Sequence, residues 1–299
     1  MRPFDNAYLL LTLTTLFWAG NAIAGKLAAG VIPPMTLTTT RWIIAAIILY
    51  VFARPLIVEH WATVRARWHH LFLFGAVGFA LFNFCLYGAL NFTTALNVTI
   101  EQSAMPAVIM LAMYLVYREP VTRLQLVGLC LSILGVIVTA TQGDPTRIFR
   151  LEVNIGDAMM MGGVVAYAAY SVALRARPNL PWQVFMFSVA FAAFAASLPF
   201  AVIEMSLGYF PAADWRTLAL LFYIVVFPSL LSQIFFLRGV ELLGANRAGL
   251  FTNLVPVFGA ILAVTILGER FEIYHAAGIV MVIGGILLAE LSVRLREPA

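Results

Sequence analysis

Two ionisable side chains stand deep inside long apolar stretches of this sequence, where charged groups are rare. Glu101 lies in one such stretch, and Arg41 is expected at a similar depth in an earlier one. A charged side chain at the centre of a membrane helix costs roughly 2.5–3.5 kcal/mol on insertion scales, so it normally faces water or a partner. Three roles are open for Glu101: an ion pair with Arg41, contact with the amine of a bound solute, or a protonation switch.

Amide, hydroxyl and aromatic side chains recur at helical spacing in several apolar stretches. Asn83 and Tyr87 share a helix face at i, i+4, and Asn97 and Glu101 do the same. Such faces predict an aqueous cavity in which polar and aromatic side chains contact a solute. Hydrogen bonding and packing between helices would produce the same pattern. The candidate cavity residues are Trp18, Asn21, Asn83, Tyr87, Asn97, Glu101, Tyr167, Tyr170, Ser171, Gln233 and Asn253.

Membrane-spanning helices have to position these residues. Hydrophobic residues make up 63% of the chain, charged residues 11%, and the mean hydropathy is +0.96. A soluble domain carries about a quarter charged residues, so a soluble globular protein is excluded. Runs such as VIMLAMYLVY do not alternate between apolar and polar residues, as the strands of a membrane barrel do, so the apolar stretches are predicted to be helices. Apolar stretches long enough to span a bilayer occur at 7–28, 34–53, 70–92, 95–117, 122–141, 155–175, 182–203, 216–238, 246–267 and 272–293.

The same pattern occurs twice along the chain. Residues 89–141 and 239–291 align at a constant offset of 150. The identical pairs include Ala95/Ala245, Pro106/Pro256, Glu119/Glu269, Gly128/Gly278 and Gly135/Gly285. The interpretation is a single membrane domain, 1–299, built from two repeats, 1–141 and 155–293, each with five spanning helices. An odd number of crossings inverts the second repeat. The predicted fold is therefore an all-α integral membrane protein of ten transmembrane helices, arranged as two inverted five-helix repeats around a central cavity.

Matched prolines and glycines give this fold local detail. Pro106 and Pro256 fall inside the fourth and ninth stretches. Since proline removes a backbone hydrogen bond, both are expected to kink their helices, either as hinges or as static bends. The glycines of the fifth and tenth stretches repeat at i, i+7, which predicts close packing of these two helices.

Positive charge indicates the orientation of the chain. Most of the 18 lysine and arginine residues fall at one set of alternate connections, which are assigned to the cytoplasm together with both termini. The chain is thus expected to be a multi-pass protein of the inner (plasma) membrane. No basic cluster points to nucleic acid. No cysteine–histidine metal motif occurs, so neither a metal nor a cofactor is expected.

Four segments carry a resemblance to a known family. They are FWAGNAIAGK (17–26), TTRW (39–42), YREPVTRLQLVGLCLSILGV (117–136) and its copy LGERFEIYHAAGIVMVIGGI (267–286). Through them the whole chain resembles the EamA family of the drug/metabolite transporter superfamily, and within it the bacterial amino-acid exporters. The resemblance implies ten helices, a cavity between the halves, and efflux of amino acids or related metabolites.

The expected function is secondary transport: export of small metabolites, above all aromatic or apolar amino acids, by alternating access. No P-loop occurs, so ATP is not expected to drive export, which is either downhill or coupled to protons. One alternative is exchange of a nucleotide sugar, sugar phosphate, purine or drug; a channel or a membrane enzyme lies outside this class. The expected partners are a small-molecule substrate and the lipid bilayer, with the chain as a monomer or homodimer.

Overall fold

A computed structural model describes residues 6–118, 121–144, 154–243, 248 and 251–294, with only the backbone of Glu290 and 292–294. All regular elements in these ranges are helices. In chain order they are α1 (Ala7–Ala28), α2 (Pro34–Glu59), α3 (Trp61–Ala66), α4 (Trp68–Ala89), α5 (Ala95–Gln102), α6 (Met105–Tyr117), α7 (Arg123–Ala140), α8 (Ile155–Ala173), α9 (Trp182–Ser206), α10 (Trp215–Leu243), α11 (Leu254–Leu267) and α12 (Ile273–Arg294).

Eight helical spans are long and apolar enough to cross a membrane, and two shorter apolar helices, Phe251–Leu267 and Ile273–Ala289, follow them. The all-helical membrane architecture is therefore confirmed for the described residues. Two predicted stretches differ in detail. The stretch 95–117 is divided into α5 and α6, and in the stretch 246–267 a 3-10 turn at Phe251–Asn253 precedes α11. Glu119 lies outside the described residues.

Side-chain caps explain where several helices begin. Thr122 accepts a hydrogen bond from the backbone nitrogen of Gln125 at 3.0 Å, and the Gln125 side chain accepts one in return from Thr122, which forms a capping box at α7. Asp214 caps α10 by accepting from the Thr217 nitrogen at 2.8 Å. The same backbone hydrogen bond holds the pKa of the Asp214 carboxyl below its ordinary value.

Four connections, α1–α2, α4–α5, α9–α10 and α11–α12, meet at one end of the bundle, which we call the tied end. Two carboxylates fasten helix starts there. Glu204, near the end of α9, accepts from the backbone nitrogens of Met35 and Thr36 at 2.9 and 2.8 Å. Glu269 accepts from the nitrogens of Ala95 and Leu96 at 2.8 and 2.9 Å. Each carboxylate satisfies amide donors that a helix start leaves free.

Further polar contacts join the remaining elements at the tied end. The Lys26 ammonium donates to the carbonyl oxygens of Leu90 and Thr93, at 2.8 and 2.6 Å. Asn154, which begins α8, donates to the oxygen of Phe92 at 2.7 Å. Since these bonds connect separate helices, the tied end is closed by polar contacts as well as by packing.

Helices α7 and α12 pack along their length through paired glycines. A Cβ atom on Gly128 would collide with the carbonyl oxygen of Gly285, and one on Gly285 would collide with that of Gly128. Gly135 and Gly278 face each other in the same way. The predicted close contact of these helices is present because backbone lies against backbone, which only glycine allows.

Replacing Gly285 by alanine is expected to destabilise the protein by about 1–3 kcal/mol, because the added methyl group meets backbone atoms that cannot swing aside. Gly284→Ala is a matched control, since its Cβ would meet only the Cδ2 of Leu131 at 3.7 Å. The two unfolding temperatures in detergent measure the difference. Equal temperatures for both variants would contradict this account of the α7–α12 contact.

Two π-helical segments interrupt long helices at corresponding places. Phe74–Leu81 lies within α4 and Val225–Leu231 within α10, close to the 150-residue offset of the sequence repeat. The Ser229 hydroxyl donates to the carbonyl oxygen of Ile224, five residues earlier, at 2.6 Å. Such segments are rare and occur frequently at functional sites, and here both contribute residues to the cavity described next.

Candidate functional site

A cavity of about 300 Å³ lies among the helices. Its wall includes Trp18, Asn21, Arg41, Trp42, Gly78, Phe79, Phe82, Asn83, Gln102, Ser103, Met105, Pro106, Ile109, Tyr167, Tyr170, Met186, Pro228, Gln233, Phe236, Thr252, Asn253 and Val255. Among these residues Arg41 alone carries a full charge. The cavity is therefore a mostly apolar and aromatic chamber with one cation and several amides, the general make-up of a small-molecule site.

Arg41 is buried, with 5% of its surface exposed, and neutral groups surround its guanidinium. Its Nε donates to the Ser229 hydroxyl at 2.6 Å. Its Nη1 donates to Asn83 Oδ1 at 2.9 Å, more weakly to Asn21 Oδ1 at 3.4 Å, and to the Tyr87 hydroxyl. These contacts to described residues use Nε and Nη1 and leave Nη2 for a bound group.

The partners of Arg41 are themselves held in place. Asn83 donates through Nδ2 to the carbonyl oxygen of Phe79 at 2.6 Å, which turns its Oδ1 toward the guanidinium. The Tyr87 hydroxyl donates to Asn21 Oδ1 at 3.0 Å. The guanidinium carbon also lies 4.8 Å from the centre of the Trp42 ring, within cation–π range. The result is a preorganised cation in a low-dielectric site.

Among the residues that the structure describes, no carboxylate forms an ion pair with Arg41. Glu101, one partner expected from the sequence, does not come together with Arg41 in the structure. Glu101 lies outside the cavity wall and interacts with Asp157 of α8 instead. Arg41 on α2 and Glu101 on α5 lie at similar distances from the starts of their helices. However, Glu101 faces α8, whereas Arg41 faces α1, α4 and α10.

Aromatic rings form a continuous part of the cavity wall. The Trp42 and Phe79 rings stack with centres 4.5 Å apart. The Tyr167 ring lies 5.3 Å from Phe82 and 5.4 Å from Tyr170, tilted in both cases. These distances are typical of favourable aromatic pairs, so the wall offers flat apolar faces close to the Arg41 guanidinium.

The cavity extends from Arg41 toward the end of the bundle opposite the tied end. Met186 stands near the start of α9, and Thr252 and Asn253 stand just before α11; all three line the wall. The start of α9 is the opposite end from Glu204, which fastens the tied end. The chamber therefore reaches toward the end of the bundle opposite the tied end, where Gln233 supplies a further amide.

Breaks in two helices bring polar groups to the cavity. α5 ends at Gln102 and α6 begins at Met105, with Pro106 at its second position. Because the first turn of a helix needs no donor at that position, proline is accommodated there without losing a bond. Pro256 is likewise in the first turn of α11, but it is buried away from the wall. The predicted kinks thus take the form of helix starts.

Nine residues singled out from the sequence line the cavity: Trp18, Asn21, Arg41, Asn83, Pro106, Tyr167, Tyr170, Gln233 and Asn253. Tyr87 lies behind them as a support for Arg41. Asn97 and Glu101 belong to a separate buried cluster. The Ser171 hydroxyl donates to the carbonyl oxygen of Tyr167 at 2.8 Å and does not line the wall.

Several wall residues were missed by sequence reasoning. Trp42, Phe79, Phe82, Met105 and Phe236 look like ordinary lipid-facing or packing residues in a chain this apolar. A signal existed for Trp42, which stands beside Arg41 in the TTRW segment. No group of three or more histidine, cysteine or acidic residues suited to a metal occurs in the described part of the chain.

Comparison with known proteins completes the description. The model of the EamA-like transporter family matches residues 5–141 and again 154–291. The uncharacterized transporter YetK of Bacillus subtilis is 25% identical over 94% of this chain and 86% of its own length. YyaM of the same organism, also an uncharacterized transporter, is 24% identical over 97% of this chain and 95% of its own. A crystal structure with 18% sequence identity matches at a TM-score of 0.63, covering 97% of this chain and 99% of that chain.

Proposed function

Because this chain belongs to the EamA-like transporter family, we propose that it is a secondary transporter that exports small amphipathic metabolites, above all aromatic and apolar amino acids, from the cytoplasm. Its relatives YetK and YyaM carry the name transporter. The sequence resemblance to bacterial amino-acid exporters, among them the aromatic-amino-acid exporter YddG, supports this substrate class.

One observation carries the proposal: the Arg41 guanidinium stands on the cavity wall, hydrogen-bonded only to neutral groups among the described residues. A buried cation normally has an anion beside it. A substrate carboxylate would supply that anion through a charge-assisted hydrogen bond. The rings of Tyr167 and Trp42 would then receive the apolar or aromatic side chain, and the amides of Gln233 or Asn253 would receive the amino group.

The size and charge of the cavity favour an amino acid over a nucleotide sugar or sugar phosphate. At about 300 Å³ it lies at the lower end of the range of roughly 300–1,000 Å³ for small-molecule pockets. Phosphate groups call for several arginines or lysines. Among the described residues the wall offers Arg41 alone, so one carboxylate matches its charge.

We propose ten transmembrane helices in two inverted repeats, 1–141 and 155–293, that work by alternating access. Three observations support the repeats. The family model matches twice. The π-helical segments fall at matched positions. The contact of Gly128 with Gly285 becomes the contact of Gly278 with Gly135 when the two halves are exchanged.

The orientation of the chain determines the direction in which the cavity faces. With both termini in the cytoplasm, as the loop charges indicate, the tied end faces outward and the cavity extends toward the cytoplasm. This arrangement suits collection of a cytoplasmic solute. Export then requires the contacts of Glu204 and Glu269 to break, so that the tied end opens.

Counterflow in liposomes tests the proposed function. Purified protein is reconstituted with unlabelled phenylalanine inside, and uptake of labelled phenylalanine is followed. We expect trans-stimulation, because a carrier exchanges bound solute faster than it returns empty, whereas a channel shows none. Phenylethylamine, which lacks the carboxylate, should compete far more weakly than phenylalanine.

A nucleotide sugar serves as the contrasting substrate in the same assay. Absence of trans-stimulation by any amino acid would refute the proposal. Stronger stimulation by the nucleotide sugar than by phenylalanine would reassign the substrate class while leaving the carrier mechanism in place. Protein-free liposomes measure the passive leak.

A further inference from the structure

Two carboxyl groups are buried side by side outside the cavity. Glu101 at the end of α5 has 0% of its surface exposed, and Asp157 in the first turn of α8 has 2%. The two carboxyl groups come next to each other because α5 packs against α8. Neither lines the cavity, so this pair has no part in the substrate contacts proposed above.

Three of the four carboxyl oxygens of this pair have no hydrogen-bond partner among the described residues. Both oxygens of Glu101 and the Oδ1 of Asp157 are buried without a partner. Two ionised carboxylates in contact, unpaired and removed from water, would repel each other strongly. A proton held between them removes one charge and supplies the missing donor.

Within the part of the chain that the structure describes, the helices packed around the pair offer it no cation. On α1, the Lys26 ammonium is bonded to the carbonyl oxygens of Leu90 and Thr93. On α12, the His275 Nδ1 accepts from the Glu272 nitrogen at 2.9 Å. Its Nε2 therefore carries the proton and faces Asn97 Oδ1 at 3.1 Å, which makes the ring neutral. Helices α4, α6, α7 and α11 place no charged side chain beside the pair within their described residues.

Neutral neighbours orient the pair without charging it. Asn97 Oδ1 accepts from His275, so the Asn97 Nδ2 is directed toward Thr93 and Asp157. This Nδ2 lies 3.3 Å from the Thr93 hydroxyl oxygen. Asp157 thus lies beside Thr93 and Asn97 on one side and beside Glu101 on the other. The described neighbours thus leave the negative charge of the pair uncompensated, and one bound proton would reduce that charge.

Both members of the pair connect to the cavity through their own helices. Gln102 follows Glu101 directly and lines the cavity, at the break before α6. Asp157 shares α8 with Tyr167 and Tyr170 of the wall. Any change that draws α5 and α8 together or lets them separate therefore changes the shape of the cavity.

We propose that Glu101 and Asp157 form a proton-binding site that is coupled to transport. The pair holds one proton while the tied end is closed, as in this structure. When the tied end opens, water reaches the carboxyl groups, the pair exchanges its proton with that water, and α5 is free to move against α8 until the pair is protonated again and the end closes. The site itself is independent of the substrate, whereas its coupling rests on the proposed function.

Infrared spectroscopy of the reconstituted full-length protein tests the site without any substrate. During a pH titration the wild type should show the C=O stretching band of a protonated carboxylic acid, shielded from rapid exchange. Glu101→Gln and Asp157→Asn should each lose that band. Glu241→Gln, an exposed carboxyl paired with Arg238, should retain it. A band that persists in both pair variants, or its absence from the wild type, would overturn the site.

Transport assays test the coupling. A pH gradient should change the rate of net phenylalanine efflux in the wild type and in Glu241→Gln. Glu101→Gln and Asp157→Asn should lose this response but still perform counterflow, since the Arg41 cavity is intact. A retained gradient response in both variants would overturn the coupling. If no amino acid undergoes counterflow even in the wild type, the proposed function fails, and the infrared result still decides the proton site.

Discussion

Replacing Arg41 by glutamine is expected to raise the phenylalanine concentration needed for half-maximal counterflow by roughly 10- to 150-fold. This corresponds to about 1.5–3 kcal/mol for the loss of a hydrogen bond to a charged group. Glutamine can still donate to Ser229 or Asn83, so the surrounding polar groups are not left wholly unsatisfied. Arg41→Lys should have a half-saturating phenylalanine concentration between those of the wild type and Arg41→Gln. Lysine keeps the positive charge but lacks the planar guanidinium that can bind a carboxylate through two hydrogen bonds.

Arg54→Gln provides the matched control for this prediction, since Arg54 lies exposed on the same helix, α2. It should leave half-saturation unchanged. The selectivity of the variant is as informative as its affinity. Arg41→Gln should lose the preference for phenylalanine over phenylethylamine, because both ligands then lack a carboxylate contact. Wild-type half-saturation and selectivity in Arg41→Gln would show that the guanidinium does not bind substrate.

Removing both carboxylate caps at the tied end, in the variant Glu204→Ala/Glu269→Ala, is expected to shift the bundle toward a conformation with that end open. Each cap satisfies two backbone amides of another helix. Caps of this type contribute about 1 kcal/mol each, so their joint loss changes the equilibrium by roughly 30-fold. Spin labels on Phe210→Cys and Arg270→Cys, in a Cys85→Ser/Cys130→Ser background, should report longer distances.

Glu241→Ala is the control for the cap variant, because it removes an exposed carboxylate near the other end of the bundle. Its distance distribution should match that of the parent. An unchanged distribution in the cap variant would mean that helix packing alone closes the tied end. In that case the two carboxylates would have no part in gating.

Much of this architecture could be predicted because the bilayer restricts what a chain can do. An apolar composition requires helices, and helix length fixes the spans to within a few residues. The repeated glycines of α7 and α12 were also predictable, since small residues spaced at i, i+7 mark a contact face. A similar reason identified Trp18, Tyr167 and Gln233 as cavity residues. Polar or amphipathic side chains inside apolar stretches seldom face lipid, so they are expected to face a cavity or another helix.

The sequence could not show which helices are neighbours or how each helix is rotated about its axis, and the expected pairing of Arg41 with Glu101 was wrong for this reason. Sequence gives the depth of Arg41 and Glu101 but not the elements between them. The sequence carries no signal that Asp157 of α8 lies beside Glu101. The break between α5 and α6 did leave one, since Pro106 three residues after Ser103 is typical of a new helix start.

The π-helical segment Val225–Leu231 has a consequence for how α10 should be altered experimentally. A π turn takes up one residue more than an α turn, so the faces before and after it are out of phase by about 100°. Deleting Pro228 would remove both the extra residue and the position without a backbone donor, and would so restore a continuous α-helix. It would also rotate Gln233 and Phe236 away from the chamber relative to the part of α10 that precedes the segment. The extra residue thus rotates the second part of α10 relative to the first, so that the first part can pack against other helices while the second part faces the solute.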